Sequence, residues 1–192
     1  MTHFATLVLV GERLDYSEAE DAAGALLAPY AEDDEWFREG SRWDWWVIGG
    51  RWTGALDPEY DPFTDLRNTE VCDLCSGTGI RPDGLERFGE EWVRQVNGCN
   101  GCKGKGTRIA FALAPHPKDV LPVRDLPDDF VPAALVTPDG KWHERGRYGF
   151  WGMMIDDEND QEPKEKDVWE ATYRALLEQY PEATAILVDC HV

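Results

Sequence analysis

The sequence predicts an α+β domain, a ferredoxin-like two-layer sandwich interrupted by one small cysteine-rich insertion. Three observations lead there. The chain opens with a strand–helix–strand pattern and closes with helix–strand, and a strand–turn–strand unit lies between. One octapeptide pattern occurs twice, as "CDLCSGTG" at 72–79 and "CNGCKGKG" at 99–106. At 192 residues the chain suits one domain with an insertion. The expected division is a core of 1–71 and 107–192 around an insertion of 72–106. Such elements must bury one face each, and a sheet covered by helices is the simplest solution.

Each element has a physical warrant. "HFATLVLV" (3–10) is rich in β-branched and aromatic residues and reads as a buried strand. Ser17 and Glu20 have capping-box spacing ahead of Ala22, Ala23, Leu26 and Leu27, which share a helical face, and Pro29 stops that helix. "AEDDEWFREGS" is a charged loop. "RWDWWVIGGRWTGAL" is a strand broken at Gly49 and Gly50, where a bulge or a close backbone approach is expected. Leu85, Phe88, Trp92 and Val96 fall at helical spacing between the cysteine pairs, with Gly98 as the C-terminal cap. "TRIAFALA" reads as a strand, and "FVPAALVTPDGKWHERG" as two strands joined at Pro138-Asp139-Gly140. The charge run "IDDENDQEPKEKD" is a solvated loop. Asp167 and Glu170 cap a final helix whose Trp169, Tyr173, Leu176, Leu177 and Tyr180 form one stripe; Pro181 ends it, and "TAILVDCHV" is the last strand, antiparallel beside the first.

Composition narrows the function classes. Nineteen basic against 38 acidic residues give a net charge of −19, a field that repels a polyanion and makes nucleic acid a poor partner. The acidity serves solubility, or it presents a negative face to a basic protein. No apolar run approaches the ~20 residues that span a bilayer, and the N-terminus lacks the basic region of a signal peptide. A cytoplasmic, reducing location is therefore expected, where Cys-x-x-Cys pairs serve as metal ligands rather than disulfides.

Four thiolates are the preferred tetrahedral donors of a structural zinc ion. Cys72, Cys75, Cys99 and Cys102 supply them, two from each octapeptide. Gly77, Gly79, Gly104 and Gly106 let the backbone fold back so that N–H groups approach the sulfurs. An iron–sulfur cluster and a dithiol switch are the competing uses. A closed four-sulfur site leaves no coordination position for catalysis. The octapeptides resemble those of the cysteine-rich zinc domain of DnaJ-type chaperones, which has four copies and two zincs. The match covers 72–106 alone, with two copies and one zinc implied. The J-domain tripeptide His-Pro-Asp is missing, "HPKD" standing at 116–119, so metal binding carries over and co-chaperone activity does not.

Two further stretches combine Trp, Gly and Arg: "WDWWVIGGRW" (43–52) and "KWHERGRYGFWGM" (141–153). Arg51, Arg145 and Arg147 could grip an anion while Trp52 and Trp151 offer stacking faces, with Glu144 beside them. The plainer reading makes these Trp residues packing elements with Arg stems laid across them. Strand alternation places Leu187, Asp189 and His191 on one face, and antiparallel pairing of the terminal strands would bring His3 beside His191. Those three groups could form an acid–base or second metal cluster, or simply a solvated strand end. Together with "HFATLVLV" and "VDCHV", these segments resemble a group of uncharacterised small phage and prophage proteins, which implies an accessory role, such as interference with a host process.

The leading expectation is a zinc-stabilised acidic protein acting by binding a macromolecular partner, without catalysis. The alternative is a small-molecule or nucleotide-binding protein or hydrolase, with Arg51 and Arg145 converging on one pocket. A zinc knuckle binding nucleic acid through Lys103, Lys105 and Arg108 is the weakest, three cations against a net −19.

Overall fold

The computed structural model describes residues 2–11, 14–32, 40–62, 64–82, 85–88, 91–94, 98–110, 113–148 and 164–192. Its elements in order are β1 (His3–Val10), α1 (Tyr16–Leu27), β2 (Trp45–Ile48), β3 (Thr69–Val71), β4 (Leu85–Phe88), β5 (Glu91–Arg94), β6 (Thr107–Ile109), β7 (Val120–Pro122), β8 (Ala134–Val136), β9 (Trp142–Glu144), α2 (Lys166–Leu177) and β10 (Thr184–His191). They divide into two compact units, one of Met1–Tyr60 with Pro115–Val192 and one of Asp61–Ala114. The second is wider at both ends than 72–106, because β3 and β6, which pair outside the cysteines, belong to it.

The first unit is a mixed α+β fold. Its sheet runs β2-β10-β1-β8-β9, with β7 also pairing β10. The expected antiparallel pairing of the terminal strands is present over their full length, His3 opposite His191 and Val10 opposite Thr184. A split βαβ unit, the basis of the ferredoxin-like fold, keeps a strand between its two parallel strands. Here β1 pairs directly with β8 in parallel, Thr6 opposite Ala134, so the observed order departs from that topology.

Two layers are also too few. One buried cluster joins Phe4, Val8, Val136, Ile186 and Val188 to Ala19, Ala23 and Leu27 of α1. A second joins Leu7, Leu9, Leu135, Ala185 and Leu187 to Trp169 and Tyr173 of α2. Alternate residues of the same strands face different helices, so α1 and α2 cover opposite faces of the sheet. That is why β1 and β10 are apolar at nearly every position: a strand buried on both faces reads as a continuous run.

Three local expectations shift. The N-cap of α1 is Asp15, whose side chain accepts from the Ser17 and Glu18 N–H groups, and Glu18 completes the capping box in place of Ser17 and Glu20. The last helix has Glu165 at its N-cap and no side-chain cap; Asp167 and Glu170 lie inside it. Where helical spacing predicts a helix, Leu85–Phe88 and Glu91–Arg94 instead form an antiparallel pair, β4 with β5; Val96 lies outside the described residues. The 138–140 turn is as expected: the Gly140 N–H donates to the Thr137 carbonyl at 2.8 Å, with Gly140 at φ 78°.

Candidate metal centre and neighbouring polar clusters

The β3–β6 ladder aligns Val71 with Thr107, so the first octapeptide leaves its strand where the second one enters. The two octapeptides then repeat each other bond for bond. Gly77 N–H donates to the Cys72 carbonyl at 3.2 Å and Gly104 N–H to the Cys99 carbonyl at 3.1 Å. Across the pair, Cys72 N–H donates to Gly106 O at 2.9 Å and Cys99 N–H to Gly79 O at 2.6 Å. Gly79 and Gly106 lie at φ 75° and 80°, and a Cβ on either would fall 2.4 or 2.3 Å from a carbonyl oxygen of the facing octapeptide. Only glycine fits these two positions.

This duplication brings four buried sulfurs within 4.8 Å of one another. Cys72 and Cys99 Sγ are 3.8 Å apart, and Cys75 and Cys102 Sγ are 3.7 Å apart. Sulfurs on a tetrahedron with ~2.3 Å metal bonds lie roughly 3.8 Å from each other, whereas a disulfide needs about 2.05 Å. All four cysteines are free. Gly79 and Gly106 donate N–H bonds to Cys75 and Cys102 Sγ at 3.3 and 3.2 Å, the donors that a thiolate wants. Burial pushes the Cys72 thiol up to about 11. At Cys102 the same upward push is outweighed by the Gly106 N–H and the neighbouring thiols, which hold it at about 7. Donor set, distances and second-layer N–H groups all fit a metal ion with four protein sulfurs, which leaves water no place on the metal. Beside the centre, Arg108 pairs with Glu70 at 2.7 Å and Asp73 at 3.0 Å, so the basic patch expected with Lys103 and Lys105 is countered by acids.

A second polar cluster sits in the first unit. His3 Nδ1 lies 3.0 and 3.1 Å from the two carboxylate oxygens of Asp189, and the His3 and His191 rings are 4.9 Å apart. His191 Nδ1 is 2.6 Å from Asp44 Oδ1. Among the described residues, the cysteines are the one group of three or more potential ligands drawn close enough for an ion, so the three predicted groups do not gather as a second metal site. Asp189 is 1% exposed and also accepts the Arg51 N–H at 2.9 Å.

That last bond explains "GGRWTG". Gly49 and Gly50 at φ 70° and 54° turn the chain, Asp189 takes the Arg51 N–H, and Asp119 takes the Gly54 N–H at 2.7 Å. Burial pushes the Asp119 carboxyl up. The Arg51 and Gly54 N–H groups are therefore met by the protein's own carboxylates, and those of Gly49, Trp52, Thr53 and Ala55 by backbone carbonyls, rather than offered to a ligand. Trp52 and Arg145 line one cavity with His3 and Lys166, of about 290 Å³, but Arg51 is not on its wall, so the expected convergence of Arg51 and Arg145 is not seen there. Glu144 accepts from Arg42 Nε and Trp142 Nε1, each at 2.8 Å. Trp151 lies outside the described residues. Sequence reasoning missed Asp119, Arg42 and Lys164. Asp119 ends the "HPKD" tetrapeptide, but its register beside Gly49 needs the β7–β10 pairing. No helix among the described residues is long and apolar enough to cross a membrane. No family model, curated protein or solved structure matches the chain.

Proposed function

We propose that the protein is a zinc-stapled acidic binding protein, which acts by docking on a basic protein partner rather than by turning over a substrate. Four thiolates with no open position support zinc in a structural role, since that donor set is zinc's preferred one. The observation that carries the docking reading is a patch at the sheet margin. β2 ends the strand order, and there Trp45, Val47 and Trp52 are 49%, 37% and 37% exposed. Edge strands with large exposed apolar residues invite a partner, and Trp is enriched among residues that dominate binding energy. A net charge of −19 steers a basic protein toward the molecule and turns nucleic acid away. An accessory role in a phage or prophage, occupying a basic host protein, is the biological form of this reading.

The test is capture of host proteins from lysate at low salt. Wild-type protein is expected to retain a basic partner whose retention falls as salt rises. Trp45→Ala with Trp52→Ala should abolish retention while the melting profile stays unchanged. Equal capture by the double variant, or no basic partner at low salt, would overturn the reading.

A further inference from the structure

A chain with 38 acidic and 19 basic residues has few cations to concentrate, yet five of the 19 line one cavity. It has a volume of about 550 Å³ and runs along β9, the last strand of the sheet order. Its cations are Arg42, Lys141, Arg145, Arg147 and Lys164. Glu144 is the single carboxylate among the described lining residues, and both of its oxygens are engaged, by Arg42 Nε and Trp142 Nε1.

Two of the cations are held in place by neutral groups. Arg145 Nε donates to the Lys164 carbonyl at 3.1 Å, and Lys164 Nζ donates to the Glu144 carbonyl at 2.7 Å. A carbonyl fixes a cationic head without cancelling its charge. The lining also includes a braced aromatic pair: the Tyr30 and Trp142 rings lie 5.1 Å apart, and the Tyr30 hydroxyl donates to Gly140 O at 2.6 Å while accepting the Trp142 N–H at 2.9 Å. Positioned guanidinium and ammonium groups lining one cavity with flat rings suit phosphates joined to a base. The volume lies in the range of small-ligand sites.

We propose that this cavity binds a small polyphosphorylated molecule of the nucleoside polyphosphate class, its phosphates on Arg145 and Lys164 and its ring toward Trp142. None of its lining residues is a cysteine of the metal centre, while Arg145 is shared with the smaller cavity that Trp52 of the docking patch lines. With Glu144 engaged, the described lining offers no further carboxylate to hold magnesium or act as a base, so the inference is binding and not hydrolysis.

Isothermal titration of the full metal-loaded chain at about 50 mM salt, where screening is weak, tests this with ATP, tripolyphosphate and adenosine. ATP and tripolyphosphate should bind saturably, and adenosine should not. A tighter ATP arm would show that the ring contributes, and equal arms that the phosphates suffice; both outcomes support a polyphosphate site. Arg145→Gln and Lys164→Gln should each weaken binding by about tenfold or more, the scale of one charge-assisted hydrogen bond. Arg124→Gln, a surface residue off the cavity wall, should leave it unchanged. A melting profile like wild type's in each variant separates lost binding from lost folding. The proposal falls if ATP and tripolyphosphate show no saturable binding, if adenosine binds as tightly as ATP, or if both cavity variants bind like wild type.

Discussion

At Gly50 one added methyl group would meet a neighbour that is itself buried and tied down. The Gly50 φ is 54°, and a Cβ there would lie 2.5 Å from the Asp189 Cβ and 2.6 Å from Oδ2. The neighbour cannot swing away, because Asp189 is buried and tied to His3 and the Arg51 N–H. Left-handed backbone and overpacking each cost on the order of 1–3 kcal/mol, so Gly50→Ala should lose about 2–4 kcal/mol in urea unfolding. The His3 ring should also lose its fixed orientation, visible as a shifted imidazole resonance. Unchanged stability would mean that Asp189 does not hold this loop. The glycine pair was legible in the sequence as a close approach. What approaches it was not, since Asp119, in the turn just before β7, and Asp189, on β10, are far along the chain and meet the loop only through sheet register.

Among the elements, the cysteine unit is the case where local pattern and final structure diverge most. Leu85, Phe88, Trp92 and Val96 have helical spacing, yet β4 and β5 pair there, Leu85 opposite Arg94 and Phe88 opposite Glu91. A short apolar run fits either period, and strand partners a few residues away can override helix propensity. The octapeptides were less ambiguous, because each glycine has one backbone conformation to satisfy and each sulfur one place in a close set of four. The layer count had its signal too. "HFATLVLV" is apolar on both faces, which a strand in a two-layer sandwich need not be. Among the described residues of the cysteine unit, the buried cluster consists of the four cysteines themselves. A unit whose core is its metal site should unfold without metal, as structural zinc contributes on the order of 10 kcal/mol or more in small domains. Elemental analysis of fresh protein should give one zinc per chain. A strong chelator, or Cys102→Ser, should erase the dispersed amide signals of 98–106 while those of β1 and β10 persist. Retained signals in metal-free protein would refute the metal as the core of this unit.

For the whole molecule the question is whether the first unit stands without the second. Its own core is continuous on both faces of the sheet, with Trp169 and Tyr173 buried on one and Leu27 and Ala23 on the other, and among the described residues no member of either cluster comes from 61–114. The two points where the chain leaves and re-enters it are close: the Tyr60 and His116 rings have centroids 4.2 Å apart, and His116 Nε2 is 3.7 Å from Asp57 Oδ2. Closing so short a gap needs few residues, and loop entropy grows only as the logarithm of length, about 0.6 kcal/mol per doubling. Replacing 61–114 by a short Gly-Ser linker should therefore leave a cooperatively folding protein. The shortened chain should bind no zinc, keep the His3–Asp189 imidazole signature, and retain polyphosphate binding, since every residue lining the basic cavity lies in the first unit. Circular dichroism melting and the ATP titration read these outcomes separately. A cooperative melt with lost titration would reject the cavity assignment alone. A broad, non-cooperative melt would show that the cysteine unit supplies stability to the sheet, contrary to the two complete cores from which the excision is argued.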